Sequence, residues 1–157
     1  MLILLDIDGV MVPATSWRRP QFLSDGFSAF SSKSVEALQR IIFETDAGII
    51  LTTSHKSTYD IDKWREIFKS RGLDVNRIDR LPNNYLNSSR KDEILSWHEA
   101  AHDPNESFVI IDDDKSLNDL PNHLKMNLIL TSPLVGLTDE LADNAISILN
   151  QGLYTYA

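Results

Sequence analysis

Short apolar runs alternate with amphipathic stretches along the chain, and this alternation is typical of α/β proteins. The runs that we predict to be strands are residues 2–5, 48–51, 75–81, 108–111 and 127–130. Residues 2–5 are apolar at every position, which indicates a central strand that is buried on both of its faces. We therefore predict a three-layer α/β/α fold with about five mainly parallel strands.

The amphipathic stretches predict helices between and after these strands. They cover residues 34–44, 60–71, 90–102 and 139–151. In the first two of them, apolar side chains recur every three or four residues and so form one inner face. Ser89 and Thr138 are the expected N-caps of the last two helices, and we expect those helices to end before Pro104 and Gly152.

Composition and charge narrow the class of protein. The 157 residues are 42% hydrophobic and 24% charged, as in one ordinary globular domain spanning residues 1–157. The absence of cysteine excludes disulfide frameworks and thiolate zinc sites, and it fits a reducing, cytoplasmic setting. No apolar run approaches the roughly 20 residues of a membrane span. The net charge of −8 disfavours a protein that coats nucleic-acid duplexes, although a local basic patch would still hold one nucleic-acid end.

Polar clusters directly follow three of the apolar runs. They are Asp6-Ile7-Asp8-Gly9, Thr52-Thr53-Ser54 and Asp112-Asp113-Asp114. The carboxyl ends of neighbouring parallel strands form the crevice where such sheets bind ligands, so we expect the clusters to meet. Packed carboxylates need protons or a cation, and a set of oxygen ligands suits Mg²⁺. Hydroxyls and a cation at a helix start, Lys91, hold phosphate oxygens, so together these groups predict a site for a phosphoryl group.

The clusters and their order resemble the four motifs of the haloacid dehalogenase (HAD) superfamily of phosphotransferases. An apolar strand ending in Asp-x-Asp-Gly matches residues 2–9, and a strand ending in Thr or Ser matches residues 49–54. Lys91 matches the cation that opens a helix, and residues 110–113 match the strand that ends in an acidic pair. This resemblance implies a HAD-like (Rossmann-like) fold and Mg²⁺-dependent hydrolysis of phosphomonoesters through an aspartyl-phosphate.

The resemblance also implies roles for the acidic residues. Asp6 would be the nucleophile, and Asp8 would protonate the leaving oxygen and then activate water. Asp6 and the backbone carbonyl of Asp8 would also bind Mg²⁺. Asp113 is the first choice for the direct metal carboxylate, with Asp112 supporting it and Asp114 as the replacement for either.

The same resemblance assigns the phosphate contacts. Thr53 is the preferred match to the second-motif hydroxyl, Ser54 is a neighbouring ligand, and Thr52 is the alternative register. Lys91 would neutralise the phosphoryl oxygens and shield the nucleophile. Two further residues, His55 and Lys56, directly follow Ser54. His55 is a candidate substrate contact, and Lys56 is either a second phosphate contact or, as we favour, a solvated charge.

The chain leaves little room for the cap domain with which many HAD enzymes close their site. About 25 residues separate Val10 from the next predicted helix, and one helix and a short strand occupy most of the 36 residues between Ser54 and Lys91. We therefore predict a capless enzyme with an open site.

Capless members often act on macromolecular ends, because a large substrate itself excludes water. Residues 17–20, Trp-Arg-Arg-Pro, would lie near the mouth and hold a nucleotide, or form a solvated loop. The compact layout resembles HAD domains associated with RNA repair. A polynucleotide phosphatase acting on 5′- or 3′-phosphorylated ends is the favoured interpretation, and nucleotides, other small phosphomonoesters or phosphoproteins are the alternatives.

Two other classes of function are weighed against this one. Residues 98–102 fit the His-Glu-x-x-His pattern of a small zinc metalloprotease, with His98 and His102 as ligands, Glu99 as base, and His123 or Glu140 as third ligand. The motif lies in the last turn of its predicted helix, where histidines commonly complement the helix dipole. The second alternative is a non-catalytic phosphate-sensing module, but such domains carry a lone Asp after a middle strand, where this chain has hydroxyls. The sequence favours the phosphatase.

Overall fold

A five-stranded parallel sheet forms the centre of the protein in the computed structural model, which describes residues 1–14, 21–82 and 89–155. The strands are β1 (Leu2–Leu5), β2 (Gly48–Leu51), β3 (Ile78–Arg80), β4 (Phe108–Asp112) and β5 (Leu128–Leu130). Their order across the sheet is β3-β2-β1-β4-β5, and every neighbouring pair is parallel. This arrangement confirms the predicted α/β fold and its parallel sheet.

Helices cover both faces of this sheet. They are α1 (Ser32–Thr45), α2 (Ile61–Ser70), α3 (Arg90–Ala100), α4 (Asn122–Lys125) and α5 (Asp139–Thr155), with a short 3-10 helix at Lys115–Asp119. Buried side chains of α1, α2 and α5 pack on one face, against Ile3, Leu5 and their neighbours. Those of α3, α4 and the 3-10 helix pack on the other face, against Leu2, Leu4 and their neighbours. The two apolar cores produce the predicted three layers.

The three central strands end at the same level. Leu5 of β1 pairs with Leu51 of β2 on one side and with Ile111 of β4 on the other. The ladder continues one residue further, because the Thr52 amide donates to the Leu5 carbonyl and the Asp6 amide donates to the Ile111 carbonyl, both at 3.0 Å. The polar residues that follow these strands therefore begin side by side.

Local capping signals decide where the helices begin. Ser31, Asp60 and Ser89 accept hydrogen bonds from the amides at the starts of α1, α2 and α3. The prediction that the last helix ends before Gly152 was wrong, because α5 continues to Thr155. A glycine inside a helix costs only about 1 kcal/mol relative to alanine, and no proline follows to stop the helix.

Within residues 1–14, 21–82 and 89–155, no separate domain lies over the carboxyl edge of the sheet. The described residues between β1 and α1 include a hairpin in which Phe22 pairs with Ser28, and those between β2 and α3 include α2 and β3. Neither described stretch contains the further helices or sheet of a cap. None of the helices in the described part of the chain has the length and hydrophobicity of a membrane span.

Candidate active site

Three polar side chains continue three neighbouring strands on the same face of the sheet. Asp6 follows β1, Thr52 follows β2, and Asp112 is the last residue of β4. Successive side chains of a strand point to opposite faces, so all three point towards the face that α3 covers. The predicted meeting of the acidic and hydroxyl clusters follows from this shared direction.

Carboxylates form the centre of the group. Asp6 and Asp112 are buried, Asp113 is half-buried, and one ligand oxygen from each lies within 4.8 Å of the other two. Gly9 allows the Asp113 carboxylate to lie in this group, because a Cβ at position 9 would overlap that carboxylate. Gly9 also has a φ of 79°, which side chains other than glycine rarely adopt. The structure therefore requires glycine at the last position of the Asp-x-Asp-Gly sequence.

Arg90 supplies the positive charge beside these carboxylates. Its Nη1 lies 2.6 Å from Asp112 Oδ2 and 3.4 Å from Asp6 Oδ1, and only 18% of its side chain is exposed. Arg90 is the first residue of α3, directly after the N-cap Ser89. Lys91 lies one position further along, is half-buried, and forms no ion pair with any carboxylate of the described residues. Sequence reasoning overlooked Arg90, and a contact between Lys91 and phosphate stays a prediction.

Burial makes the acidic group costly to ionise. Loss of solvation, with the nearby charge of Asp112, raises the pKa of Asp6 to about 8 even though Arg90 acts in the opposite direction. Burial also raises the pKa of Asp112, and Arg90 again opposes the rise. The group thus contains three carboxylates and one guanidinium. A divalent cation among the carboxylate oxygens would offset the remaining negative charge. The donor set therefore fits Mg²⁺.

The two adjacent threonines have different surroundings. Thr52 Oγ1 is buried and has no hydrogen-bond partner among the described residues. Thr53 Oγ1 accepts a hydrogen bond from the His55 amide at 3.2 Å, and strand alternation directs Thr53 to the opposite face. Ser54 is exposed. The geometry favours Thr52, the alternative register, as the hydroxyl beside the carboxylates.

A tight turn holds Asp8 at the open side of the group. The amides of Val10, Met11 and Val12 all donate to the Ile7 carbonyl, at 2.8 to 3.1 Å. The Asp8 side chain is 58% exposed, and its Oδ2 lies 2.9 Å from His55 Nε2. The structure therefore places His55 against an acidic side chain of the site.

The remaining candidates near the site have local roles. Asp114 is the N-cap of the 3-10 helix, because its carboxylate accepts from the Ser116 amide at 2.9 Å. The prediction that Lys56 is solvated was wrong: its side chain is 6% exposed, and Nζ lies 2.9 Å from Glu93 Oε2 in an ion pair without good hydrogen-bond direction. A loop position alone did not reveal this, because Glu93 comes from α3. Residues 17–20, predicted to hold a nucleotide, lie outside the described residues.

The histidine motif lies elsewhere. The His98 ring stacks on that of His102 with 4.9 Å between centroids, and the His123 ring is 5.4 Å from His98. His98 and His102 contact Phe108 at the start of β4, whereas the carboxylates lie at the ends of the strands. Glu140 lies on α5, on the opposite face of the sheet. Within the described residues, the carboxylate group alone brings three potential metal ligands within 4.8 Å of one another.

Comparisons with known proteins identify the family to which the chain belongs. One solved structure with a similar fold is D,D-heptose 1.7-bisphosphate phosphatase from B. bronchiseptica, complexed with magnesium and phosphate. It is 13% identical, the match covers 99% of each chain, and the TM-score is 0.44. No curated protein matches the sequence. The family described as the HAD domain in Swiss Army Knife RNA repair proteins matches residues 2–142. The chain therefore belongs to this family of HAD domains.

Proposed function

We propose that the protein is a Mg²⁺-dependent phosphomonoester hydrolase that works through an aspartyl-phosphate on Asp6. The observation that carries the proposal is the group of Asp6, Asp112 and Asp113 oxygens within 4.8 Å of one another, beside the guanidinium of Arg90. Closely packed carboxylates fit a divalent cation, and an arginine at a helix start fits an anion. Both ligands at one position favour phosphoryl chemistry.

The cation would lie among the three carboxylates. Asp6 and Asp113 would hold it directly, with the backbone carbonyl of Asp8 as a further oxygen ligand. Both Asp112 oxygens already have partners, Arg90 for Oδ2 and the Asp114 amide for Oδ1, which fits a supporting position. Bound Mg²⁺ supplies positive charge that allows an anionic carboxylate to approach an anionic phosphate.

The chain's own residues then account for two successive displacements. A carboxylate oxygen of Asp6 forms a bond to phosphorus while the bond from phosphorus to the ester oxygen breaks, and Asp8 gives its proton to that oxygen. Water next attacks the phosphorus of the aspartyl-phosphate, Asp8 takes up a proton from this water, and inorganic phosphate leaves with Asp6 restored. Arg90 and the Thr52 hydroxyl, which has no partner among the described residues, would hold the phosphoryl oxygens.

A phosphorylated nucleic-acid end is the substrate that we favour. The described residues place no cap over the carboxyl edge of the sheet, so a large substrate has access to the site. The family to which the chain belongs is described as a HAD domain in RNA repair proteins, and this description fits a nucleic-acid end as the substrate. The net charge of −8 opposes extended contact with a duplex, so the proposal is confined to an end.

Turnover of p-nitrophenyl phosphate tests the chemistry. We expect nitrophenol release with Mg²⁺, its loss with EDTA, and a fall of at least about 10³-fold in the Asp6→Asn variant. Asp74→Asn, at an exposed position between α2 and β3, is the matched control and should behave like the parent. Equal rates for Asp6→Asn and the parent would remove Asp6 as nucleophile.

Oligonucleotides test the substrate. Release of phosphate from 5′- or 3′-phosphorylated oligonucleotides at a higher kcat/KM than from a nucleoside monophosphate would support the nucleic-acid end. The reverse order would assign the protein to small phosphomonoesters.

A further inference from the structure

We propose that His55 is a positioning residue for Asp8, and that it holds this carboxyl group where it can give a proton to the leaving oxygen. The inference rests on the proposed function and extends it by one residue. His55 Nε2 and Asp8 Oδ2 are 2.9 Å apart, a hydrogen-bond distance. Within the described residues, His55 is the sole hydrogen-bond partner of the Asp8 side chain.

Asp8 needs such a partner because little else confines it. Its side chain is 58% exposed, whereas Asp6 and Asp112 are buried in the sheet edge. An acid that delivers a proton must lie about 2.6 to 3.2 Å from the receiving oxygen. A free aspartate side chain samples several rotamers, and an error of about 1 Å can cost 10²-fold in rate. One fixed hydrogen bond removes this freedom.

The backbone of His55 is itself fixed. Its amide donates to Thr53 Oγ1 at 3.2 Å, and its carbonyl accepts from the Thr58 amide at 2.8 Å. These bonds belong to the turn that follows β2, so the histidine is attached to the strand that Thr52 directly follows. The position of the imidazole is therefore tied to the sheet edge and not to a long loop.

An aromatic side chain confines the imidazole from a second direction. The Phe27 ring contacts the His55 ring edge to face, with 5.6 Å between centroids and 84° between planes. The Phe27 carbonyl in turn accepts a hydrogen bond at 3.1 Å from Arg71, whose guanidinium is buried. Phe27 at its side and Asp8 at its Nε2 therefore both limit the motion of the His55 ring, which is 42% exposed.

The proposal predicts an effect that depends on the leaving group. Phenolate is a much stronger base than p-nitrophenolate, so its departure depends more on a proton from Asp8. For His55→Ala we expect kcat/KM on phenyl phosphate to fall about 10- to 100-fold, and kcat/KM on p-nitrophenyl phosphate to fall less than about threefold. The comparison uses kcat/KM because this quantity reports formation of the aspartyl-phosphate, whereas hydrolysis of the intermediate is common to both substrates. KM for both substrates should stay near the parental value, because Arg90 and Thr52 remain.

Two variants separate positioning from a general structural effect. His55→Gln retains a donor at nearly the same place as Nε2 and should restore most of the phenyl phosphate rate. His123→Gln, which changes an exposed histidine far from the carboxylates, should leave both rates unchanged. In the Asp8→Asn background, His55→Ala should add almost nothing, because the two residues act as one unit.

A measurement on the resting protein keeps the inference separate from the proposed function. Three-bond couplings should report one χ1 rotamer for Asp8 in the parent and in His55→Gln, and averaging in His55→Ala. Averaged Asp8 couplings in the parent would overturn the role of His55. Equal changes in kcat/KM of His55→Ala on the two aryl phosphates would overturn it as well. If the role of His55 is overturned while Asp6→Asn still loses turnover, the proposed function stands without a positioning role for His55.

Discussion

The ion pair between Arg71 and Asp25 gives a test of the fold around the site. The Arg71 side chain is 2% exposed, and its Nη1 and Nη2 lie 2.7 and 3.1 Å from the two Asp25 oxygens. The guanidinium also donates to the carbonyls of Ile67, Phe27 and Ser28. It thereby joins α2 to the hairpin of residues 21–29, which carries Phe27. Asp25→Asn removes the negative charge and keeps the shape of the side chain.

The size of the effect follows from the pKa of Asp25. Hydrogen bonds from Arg71 lower this pKa from 3.8 to about 2. Each unit of pKa is about 1.4 kcal/mol, and partial solvent screening reduces the total, so the charge contributes about 1–2 kcal/mol to the free energy of unfolding. For a domain of this size, the melting temperature of Asp25→Asn should fall by roughly 2–8 °C.

The pH dependence has a definite sign. The pKa of Asp25 is lower in the folded protein than in the unfolded chain, so the unfolded chain binds the proton first as pH falls. The stabilisation is therefore complete above about pH 5 and is lost as pH falls towards about 2. Asp25→Asn should differ from the parent near pH 7 and converge with it as the parent becomes protonated.

Urea unfolding measured at several pH values tests this reasoning. The parent and Asp25→Asn are compared between about pH 7 and pH 3, with exposed Asp74→Asn as the matched control. The reasoning would be refuted by equal free energies of unfolding near neutral pH. A difference that stays constant down to about pH 3 would refute it equally, because the charge of Asp25 would then not be its source.

Three further substitutions probe the site and its supports. Gly9→Ala should reduce Mg²⁺-dependent turnover at least about tenfold and destabilise the fold by about 1–2 kcal/mol. The alanine Cβ would overlap the Asp113 carboxylate, and the backbone at this position has a φ of 79°. A Mg²⁺ affinity equal to that of the parent in a titration would contradict this prediction. Arg90→Ala should lower kcat/KM by about 10²-fold or more, and Arg90→Lys should recover part of this loss. Equal kcat/KM values for the parent and both variants would remove Arg90 from the site. Lys56→Met should cost about 3 kcal/mol in urea unfolding because Glu93 is left buried and unpaired. Adding Glu93→Leu should recover most of this loss, and no recovery would show that the ion pair is not the cause.

The strands and their polar ends were the most predictable part of the protein. A buried parallel strand needs only a short apolar run, so residues 2–5 and 48–51 were identified to the residue. The meeting of Asp6, Asp112 and Asp113 then follows, because parallel strands place their carboxyl ends at one edge. This part depends on local pattern and on one topological rule.

The errors concern contacts that local pattern does not determine. Successive helical residues point about 100° apart, so the choice between Arg90 and Lys91 depends on how α3 sits on the sheet. Lys56 is buried by a partner that lies 37 positions away in the chain, Glu93, and its loop setting did not indicate this. The choice between Thr52 and Thr53 depends on the register between β1 and β2. Leu5 pairs with Leu51, and strand alternation then places Thr52, and not Thr53, on the face of Asp6.

Direct detection of the covalent intermediate tests the central claim, that Asp6 becomes phosphorylated. Asp8→Asn should slow hydrolysis of the intermediate, so that protein mixed with p-nitrophenyl phosphate and Mg²⁺ and quenched in acid retains it. Borohydride reduces an aspartyl-phosphate to homoserine, and peptide mass spectrometry locates the change. We predict homoserine at position 6, dependent on both substrate and Mg²⁺. An unmodified Asp6 in protein that hydrolyses the substrate, or reduction at another aspartate, would contradict the account.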